Sequence, residues 1–222
     1  MEGLNLIQKL AIFALPLIFA ITVHEAAHGW LAMKLGDKTA YMLGRVTINP
    51  IKHIDPVGTV LVPLVLIYFT GFAFGWAKPV PVDWRNLHRP KRDMGLVALA
   101  GPASNLLMAL IWAVMVLFGA AILPGFDWLG LPLVLMGVAG VLINCLLMAL
   151  NLLPILPLDG GRILYSLLPH KQAQIYSRTE PFGLIVVVLL MMTDVLGDIL
   201  WPVIRFTVAL LPASNIVSEF IL

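Results

Sequence analysis

Apolar residues along this chain collect into long blocks at about 5–33, 57–75, 94–123, 129–156 and 182–211, each broken mainly by Gly, Pro or an isolated polar residue. Blocks this long are read as helices that cross lipid, where every backbone N–H and C=O has to be paired within its own segment. The pattern therefore predicts an all-α polytopic membrane protein, a helical bundle forming a single domain over residues 1–222. The N-terminal block is read as a mature span, because it lacks a small-residue cleavage site before the next charges. The last block reads either as one long kinked helix or as a short hairpin. Asp194 and Asp198 inside it suit a membrane-surface turn better than extra ligands or proton carriers.

The polar positions set the topology. Lys34, Lys38, Arg45, Lys52, Lys78, Arg85, Arg89, Lys91 and Arg92 all fall between the first and third blocks, whereas 119–132 contains no Lys or Arg. Positive charge in short loops marks the cytoplasmic side. If 57–75 crossed fully, one of two basic loops would lie outside. A re-entrant segment at 57–75, which dips in and returns, keeps all of 34–93 cytoplasmic, and Pro63, Gly71 and Gly75 are compatible with a broken hairpin. Arg162, Lys171 and Arg178 then make 155–180 cytoplasmic as well.

Composition agrees with this reading: 60% of residues are hydrophobic and only 12% charged, with a mean hydropathy of +0.97. A soluble domain carries about 25% charged residues, and no long polar stretch leaves room for one here. Cys145 is the sole cysteine, which excludes an intrachain disulfide and a cysteine-based metal site. The basic cluster is explained by topology, so nucleic acid is not an expected partner.

The chemistry lies within the first block. Residues 24–28 read His-Glu-Ala-Ala-His. On an α-helix His24 and His28 stand about 40° apart around the axis, so both imidazoles can reach one metal ion, with Glu25 on the same half of the helix. That is the division of labour of zinc hydrolases: neutral imidazoles hold the ion and a nearby carboxylate acts as general base toward a metal-bound water. A surface helix with solvated His and Glu is the simpler reading in a polar setting. In an apolar helix each ionisable side chain costs roughly 2.5–3.5 kcal/mol on insertion scales, so it pairs, binds an ion or lines a wet cavity. His28 lies six residues, roughly 9 Å, before Lys34, which puts the site close to the cytoplasmic face.

A catalytic zinc site usually takes three protein ligands. The candidates for the third are His53, His88, His170 and the near-membrane acids. Among these Asp159 stands out, because Pro154 and Pro157 break the preceding helix and Gly160-Gly161 allow close backbone approach. A helix N-cap is the other reading of Asp159.

Three motifs together carry a resemblance over nearly the whole chain: His24-Glu25-Ala26-Ala27-His28, Gly101-Pro102-Ala103-Ser104-Asn105, and Asn151-x-x-Pro154-x-x-Pro157-x-Asp159-Gly160. The chain resembles the site-2 protease family of intramembrane metalloproteases, peptidase family M50. Asn49-Pro50-Ile51-Lys52-His53-Ile54-Asp55-Pro56 and Gly75-Trp76-Ala77-Lys78-Pro79-Val80-Pro81-Val82 are similar to its compact prokaryotic branch, which lacks PDZ and CBS domains. The resemblance implies one Zn2+ per chain held by His24, His28 and Asp159, with Glu25 as base. It also implies that Asn151 lies beside the metal as an oxyanion or substrate donor. His53 is a second donor candidate, and Asn105 a third, for which interhelical hydrogen bonding is an adequate alternative.

The expected activity is hydrolysis of peptide bonds within or near transmembrane segments. The partners are then a transmembrane or membrane-anchored protein substrate and the lipid bilayer, in a prokaryotic plasma membrane; the sequence leaves homo-oligomerisation open. Tyr41–Ile48 and Lys78–Val82 form an expected membrane-adjacent β or extended region that could clamp an unwound substrate as an added strand. The alternative class is a divalent-metal transporter or metal-binding membrane protein. It is disfavoured because the strong ligands gather near one face and Glu25 directly follows the first of them. A non-catalytic scaffold would have no use for Glu25.

Overall fold

The computed structural model describes residues 5–62, 68 and 78–220. Helix α1 (Leu6–Lys34) opens on a reciprocal cap: Asn5 Oδ1 accepts from the Gln8 N–H, and Gln8 Oε1 accepts from the Asn5 N–H. A short α2 (Thr39–Met42) follows, then a 3₁₀ turn at Pro50–His53 and a single π-helical turn at Pro56–Leu61. Most of 57–75 lies outside the described residues, and the re-entrant expectation falls there.

After a segment without regular structure at 78–83 and a 3₁₀ turn at Trp84–Asn86 come two long helices, α3 (Pro90–Ile122) and α4 (Asp127–Asn151). Their short connection makes them an antiparallel hairpin. Lipid tails are as apolar as leucine, so hydrophobicity alone cannot drive two such helices together; close packing of small side chains can. The α3–α4 seam is built that way: Gly137 packs on Val116 and Gly140 on Trp112, with Ala109, Ala113 and Val141 buried in the same cluster. A Cβ on Gly137 would lie 2.6 Å from Val116 Cγ2, and one on Gly140 would run into the Trp112 indole. α1 packs across both helices.

The remainder is shorter: α5 (Asp159–Leu167), α6 (His170–Ser177), α7 (Glu180–Met192), α8 (Val195–Ala209) and α9 (Ser214–Ser218). α5 packs on α3, while α8 packs on α4 and α7. The 182–211 block is thus two helices. They are separated at Thr193-Asp194, where Asp194 takes a left-handed conformation with φ of 58°. Asp194 and Asp198 sit at this turn and are exposed.

Among the described residues three helical stretches are long and apolar enough to cross a membrane: Leu10–Lys34, Pro90–Ile122 and Asp127–Asn151. α6 and α7 form a further candidate pair bent by 63°. The described residues are all-α, and the chain is an integral membrane protein. No strand occurs among the described residues; 41–48 is helix end, turn and bends, and Pro79 and Pro81 lack the N–H groups a ladder needs.

One buried acid fastens the segments that follow α1 to its C-terminal end. Gly36, with φ of 117°, turns the chain so that Asp37 points inward, fully buried. Its carboxylate accepts four hydrogen bonds, from the Thr39 N–H (3.0 Å) and hydroxyl, the Asp83 N–H (2.8 Å) and Asn86 Nδ2 (3.2 Å). Burial opposes ionisation, but these donors outweigh it and hold the Asp37 carboxyl below the usual carboxylate range.

Asp37 binds a proton less readily in the folded chain than in the unfolded one. Its stabilisation is therefore complete above the unfolded carboxylate range near pH 4 and is lost as pH falls through the lower folded value. Asp37→Asn, which leaves donors facing a donor, is expected to cost on the order of 2 kcal/mol at neutral pH. Thermal unfolding in detergent from pH 7 to pH 3 checks this: the gap between wild type and variant should narrow on acidification, and a constant gap would refute the assignment.

Candidate metal centre

The three side chains of the site come from two helices. α1 supplies His24 and His28 one turn apart, and the N-terminus of α5 supplies Asp159. Leu158 is the residue preceding that helix, and Asp159 is its first residue; the Asp159 side chain makes no capping bond and points at the histidines instead. The turn before it is held in close quarters. A Cβ on Gly160 would collide with the Leu152 carbonyl, one on Gly161 would lie 2.5 Å from the Leu156 nitrogen, and one on Gly183 of α7 would overlap the Leu156 carbonyl. Glycines at these points let 152–157 wedge between α5 and α7, which fixes the direction of the Asp159 carboxylate.

His24 Nε2 and His28 Nε2 lie 3.0 Å apart, and Asp159 Oδ2 is 3.2 Å from the first and 3.4 Å from the second. The two rings meet nearly edge-on, at an interplanar angle of 83°. All three side chains are largely buried. Among the described residues these three form the one group of His, Cys, Asp or Glu side chains close enough to share an ion.

The protonation of the rings follows from what lies behind them. His28 Nδ1 is 2.7 Å from the Val97 carbonyl, which can only accept, so Nδ1 carries the hydrogen. His24 Nδ1 is 2.6 Å from Asn105 Oδ1. The orientation of that amide is fixed in turn. Asn105 Nδ2 donates to the Ala20 carbonyl (3.3 Å) and to Asn144 Oδ1 (2.9 Å), and Asn144 Nδ2 donates to the Gly140 carbonyl (2.8 Å). Both ends of the relay are backbone carbonyls, so its direction cannot reverse, and His24 Nδ1 must also donate.

In the neutral imidazoles both Nε2 atoms then present lone pairs, aimed at each other and at a carboxylate oxygen that is buried and accepts no hydrogen bond. One proton would relieve one pair of contacts. A divalent cation relieves all three, and two imidazole nitrogens with a carboxylate oxygen are a donor set suited to zinc. The open side is kept clear by Gly101 of α3, where a Cβ would lie 2.5 Å from both His24 Cε1 and His28 Nε2. These residues fit a metal ion.

Glu25 is next in sequence to His24, and its Oε2 accepts from the Val80 N–H at 2.8 Å. Asn105, fully buried, stands behind His24 as its orienting partner. Asn151 lies at the end of α4 and donates through Nδ2 to the Leu147 carbonyl at 2.9 Å. His53 is buried in its own loop: Nε2 donates to the Thr47 carbonyl (3.0 Å), and Nδ1 has no partner. Neither Asn151 nor His53 hydrogen-bonds to the three converging atoms.

The sequence reading did not single out Asn144, the cradle at Gly101 or the Val80 N–H. An Asn in the apolar 129–156 block was a usable signal for the first. A backbone donor such as Val80 leaves no mark in side-chain identity.

A membrane-embedded helical bundle with a buried two-histidine, one-aspartate cluster and an adjacent glutamate defines a class of metal-dependent membrane protein. Comparison with known proteins narrows it. The profile of "Peptidase family M50" matches residues 128–193. The chain is 38% identical over 195 residues to the Bacillus subtilis (strain 168) protein named "Putative zinc metalloprotease YwhC", an alignment spanning 86% of this chain and 84% of that one. Two mycobacterial proteins share the name "Putative zinc metalloprotease Rip2". The one from Mycolicibacterium smegmatis is 28% identical over 191 residues, and the one from Mycobacterium tuberculosis (H37Rv) 26% over 182; each alignment spans 81% of this chain and 66% of the relative. No solved structure matches. The chain belongs to peptidase family M50.

Partners behind metal-binding histidines commonly contribute 10–100-fold to metal affinity. Gly101→Ala, which crowds the cradle, and Asn105→Leu, which frees His24 to turn, are each expected to weaken zinc binding by about 10- to 100-fold. Competition with a chromophoric chelator measures this, with circular dichroism to verify retained helix. Wild-type affinity in both variants would exclude a metal at this position.

Proposed function

We propose that this chain is a zinc endopeptidase that hydrolyses peptide bonds within or next to transmembrane segments of membrane proteins, the whole of 1–222 acting as one domain. The observation that carries the reading is the convergence of two imidazole lone pairs and an unpartnered carboxylate oxygen beside Glu25. The zinc metalloprotease names of the relatives support it. His24 Nε2, His28 Nε2 and Asp159 Oδ2 would hold one zinc ion per chain. When bound, zinc supplies a lowered pKa for water and polarisation of the scissile carbonyl.

The chain's own residues do the rest. Glu25 takes a proton from the attacking water onto its carboxylate and returns it to the leaving amine nitrogen. Asn105, held by Asn144, keeps His24 in the tautomer whose Nε2 faces the metal. A donor for the developing oxyanion is needed as well. Asn151 suits this better than His53: one hydrogen of its Nδ2 is used by the Leu147 carbonyl and the second is left over, whereas the single ring N–H of His53 is committed to Thr47. A helical substrate must unwind before its carbonyls become available to such a site. The basic loops support a site near the cytoplasmic face of a bacterial or archaeal plasma membrane.

Divalent-metal transport, the competing class, would call for polar side chains through the thickness of the bundle. The α3–α4 seam beyond Asn105 and Asn144 is instead lined by Ala109, Ala113, Val116 and Val134.

The test is cleavage of a reporter transmembrane substrate by the purified chain in detergent. Glu25→Gln should lower the rate by about 10²–10⁴-fold while retaining wild-type zinc content. Chelation should abolish cleavage and added zinc restore it. Zinc retained without cleavage of any substrate in a broad panel would favour metal binding or transport over proteolysis.

A further inference from the structure

The stretch Lys78-Pro79-Val80-Pro81-Val82 has no part in the chemistry above, yet it is anchored with unusual care. At its start the Lys78 N–H donates to the His53 carbonyl (2.9 Å), and Arg45 Nη2 donates to the carbonyls of Lys78 (2.9 Å) and Pro79 (3.4 Å). At its end the Asp83 N–H donates to buried Asp37 (2.8 Å). Between these anchors the strap crosses α1, where the Val80 side chain is buried and seated over Gly29. A Cβ on Gly29 would lie 3.0 Å from Val80 Cγ1. One turn earlier on the same helix, Glu25 Oε2 accepts the Val80 N–H at 2.8 Å.

The prolines make that contact unambiguous. Residues 79 and 81 carry no N–H, and each forces the residue before it into an extended conformation. Within the strap Val80 is therefore the lone donor between two residues that cannot donate, so Glu25 has no neighbouring N–H to slip to. The other carboxylate oxygen, Oε1, accepts no hydrogen bond among the described residues.

We propose that the backbone N–H of Val80 is the orienting donor of Glu25, held in place by a strap pinned through Arg45 and Asp37, and that it fixes Oε2 so that Oε1 is the oxygen that exchanges the proton. Val80 is thus a positioning residue acting through its main chain. This rests on the protease reading of Glu25. A glutamate on a helix has three rotatable side-chain bonds, and a base displaced by about 1 Å can lose on the order of 10²-fold in rate. The N–H also cannot serve an unwound substrate while Glu25 occupies it, so an added substrate strand would have to pair elsewhere.

Two variants separate the N–H from the side chain. Val80→Ala keeps the donor and removes the packing on Gly29. Val80→Pro removes the donor in a stretch its neighbours already hold extended. Cleavage of the reporter by Val80→Pro should fall about 10- to 100-fold further than by Val80→Ala, through kcat rather than KM, with equal zinc content. Independently of activity, the Val80 amide in 15N-valine-labelled protein, assigned by its absence in Val80→Ala, should move upfield in Glu25→Ala. That second reading stands even where Val80→Pro does not fold.

Equal or faster cleavage by Val80→Pro would overturn the proposal, as would a Val80 amide indifferent to Glu25→Ala in a chain that cleaves. A chain that cleaves nothing would overturn the protease reading, and with it the catalytic use of the contact.

Discussion

Two imidazole nitrogens and a carboxylate oxygen converge within 3.4 Å of one another, with no donor among them. Each would ordinarily be satisfied by water or an N–H, and inside an apolar bundle an unmet polar atom is costly. The arrangement persists because the atoms behind it allow little else. The Val97 carbonyl and the Asn105 amide claim the two Nδ1 hydrogens, Gly101 leaves the open face clear, and the packing at Gly160, Gly161 and Gly183 aims Asp159 inward. A cation turns this concentration of negative potential from a cost into a binding site, and much of the bundle can be understood as scaffolding for it.

The scaffolding is layered by distance from the three atoms. Nearest are Asn105 and the Val97 carbonyl, both on α3. Behind Asn105 is Asn144 on α4, tied to its own helix at Gly140, so the His24 tautomer is ultimately set by a backbone carbonyl two helices away. The small-residue seam that lets α3 and α4 approach closely is also what brings the two amides within bonding distance. On the flank formed by the segments after α1, Asp37 and Arg45 do comparable work for Glu25 through the strap at 78–83. Packing in the bundle and chemistry at the site are in this sense one problem.

The sequence revealed most where spacing alone determines geometry. His24, Glu25 and His28 are readable because four residues on a helix bring two side chains to one face whatever surrounds them. Asp159 is readable because prolines and paired glycines mark an irregular turn, though its direction toward α1 depends on tertiary packing that no local pattern encodes. The long apolar blocks announced the membrane helices, but block 182–211 could not be resolved into α7 and α8, since the left-handed turn at Asp194 has no glycine to betray it. The expected extended region at 78–82 is present as an irregular strap and not as a strand: the same prolines that suggested extension remove the N–H groups that pairing requires. The anchoring roles of Asp37, Arg45 and Asn144 depend on contacts between residues 33 to 49 positions apart in the chain, or across α3 and α4, and such contacts have no periodicity to read.

Whether these three atoms share a metal ion can be read from zinc K-edge X-ray absorption of the purified chain in detergent. Stoichiometric zinc is expected, with two imidazole nitrogens at about 2.0–2.1 Å and oxygen in the remaining positions, the imidazole signal halving in His28→Ala and the oxygen shell changing in Asp159→Ala. Absence of stoichiometric zinc, or a coordination shell that neither substitution alters, would contradict a shared ion.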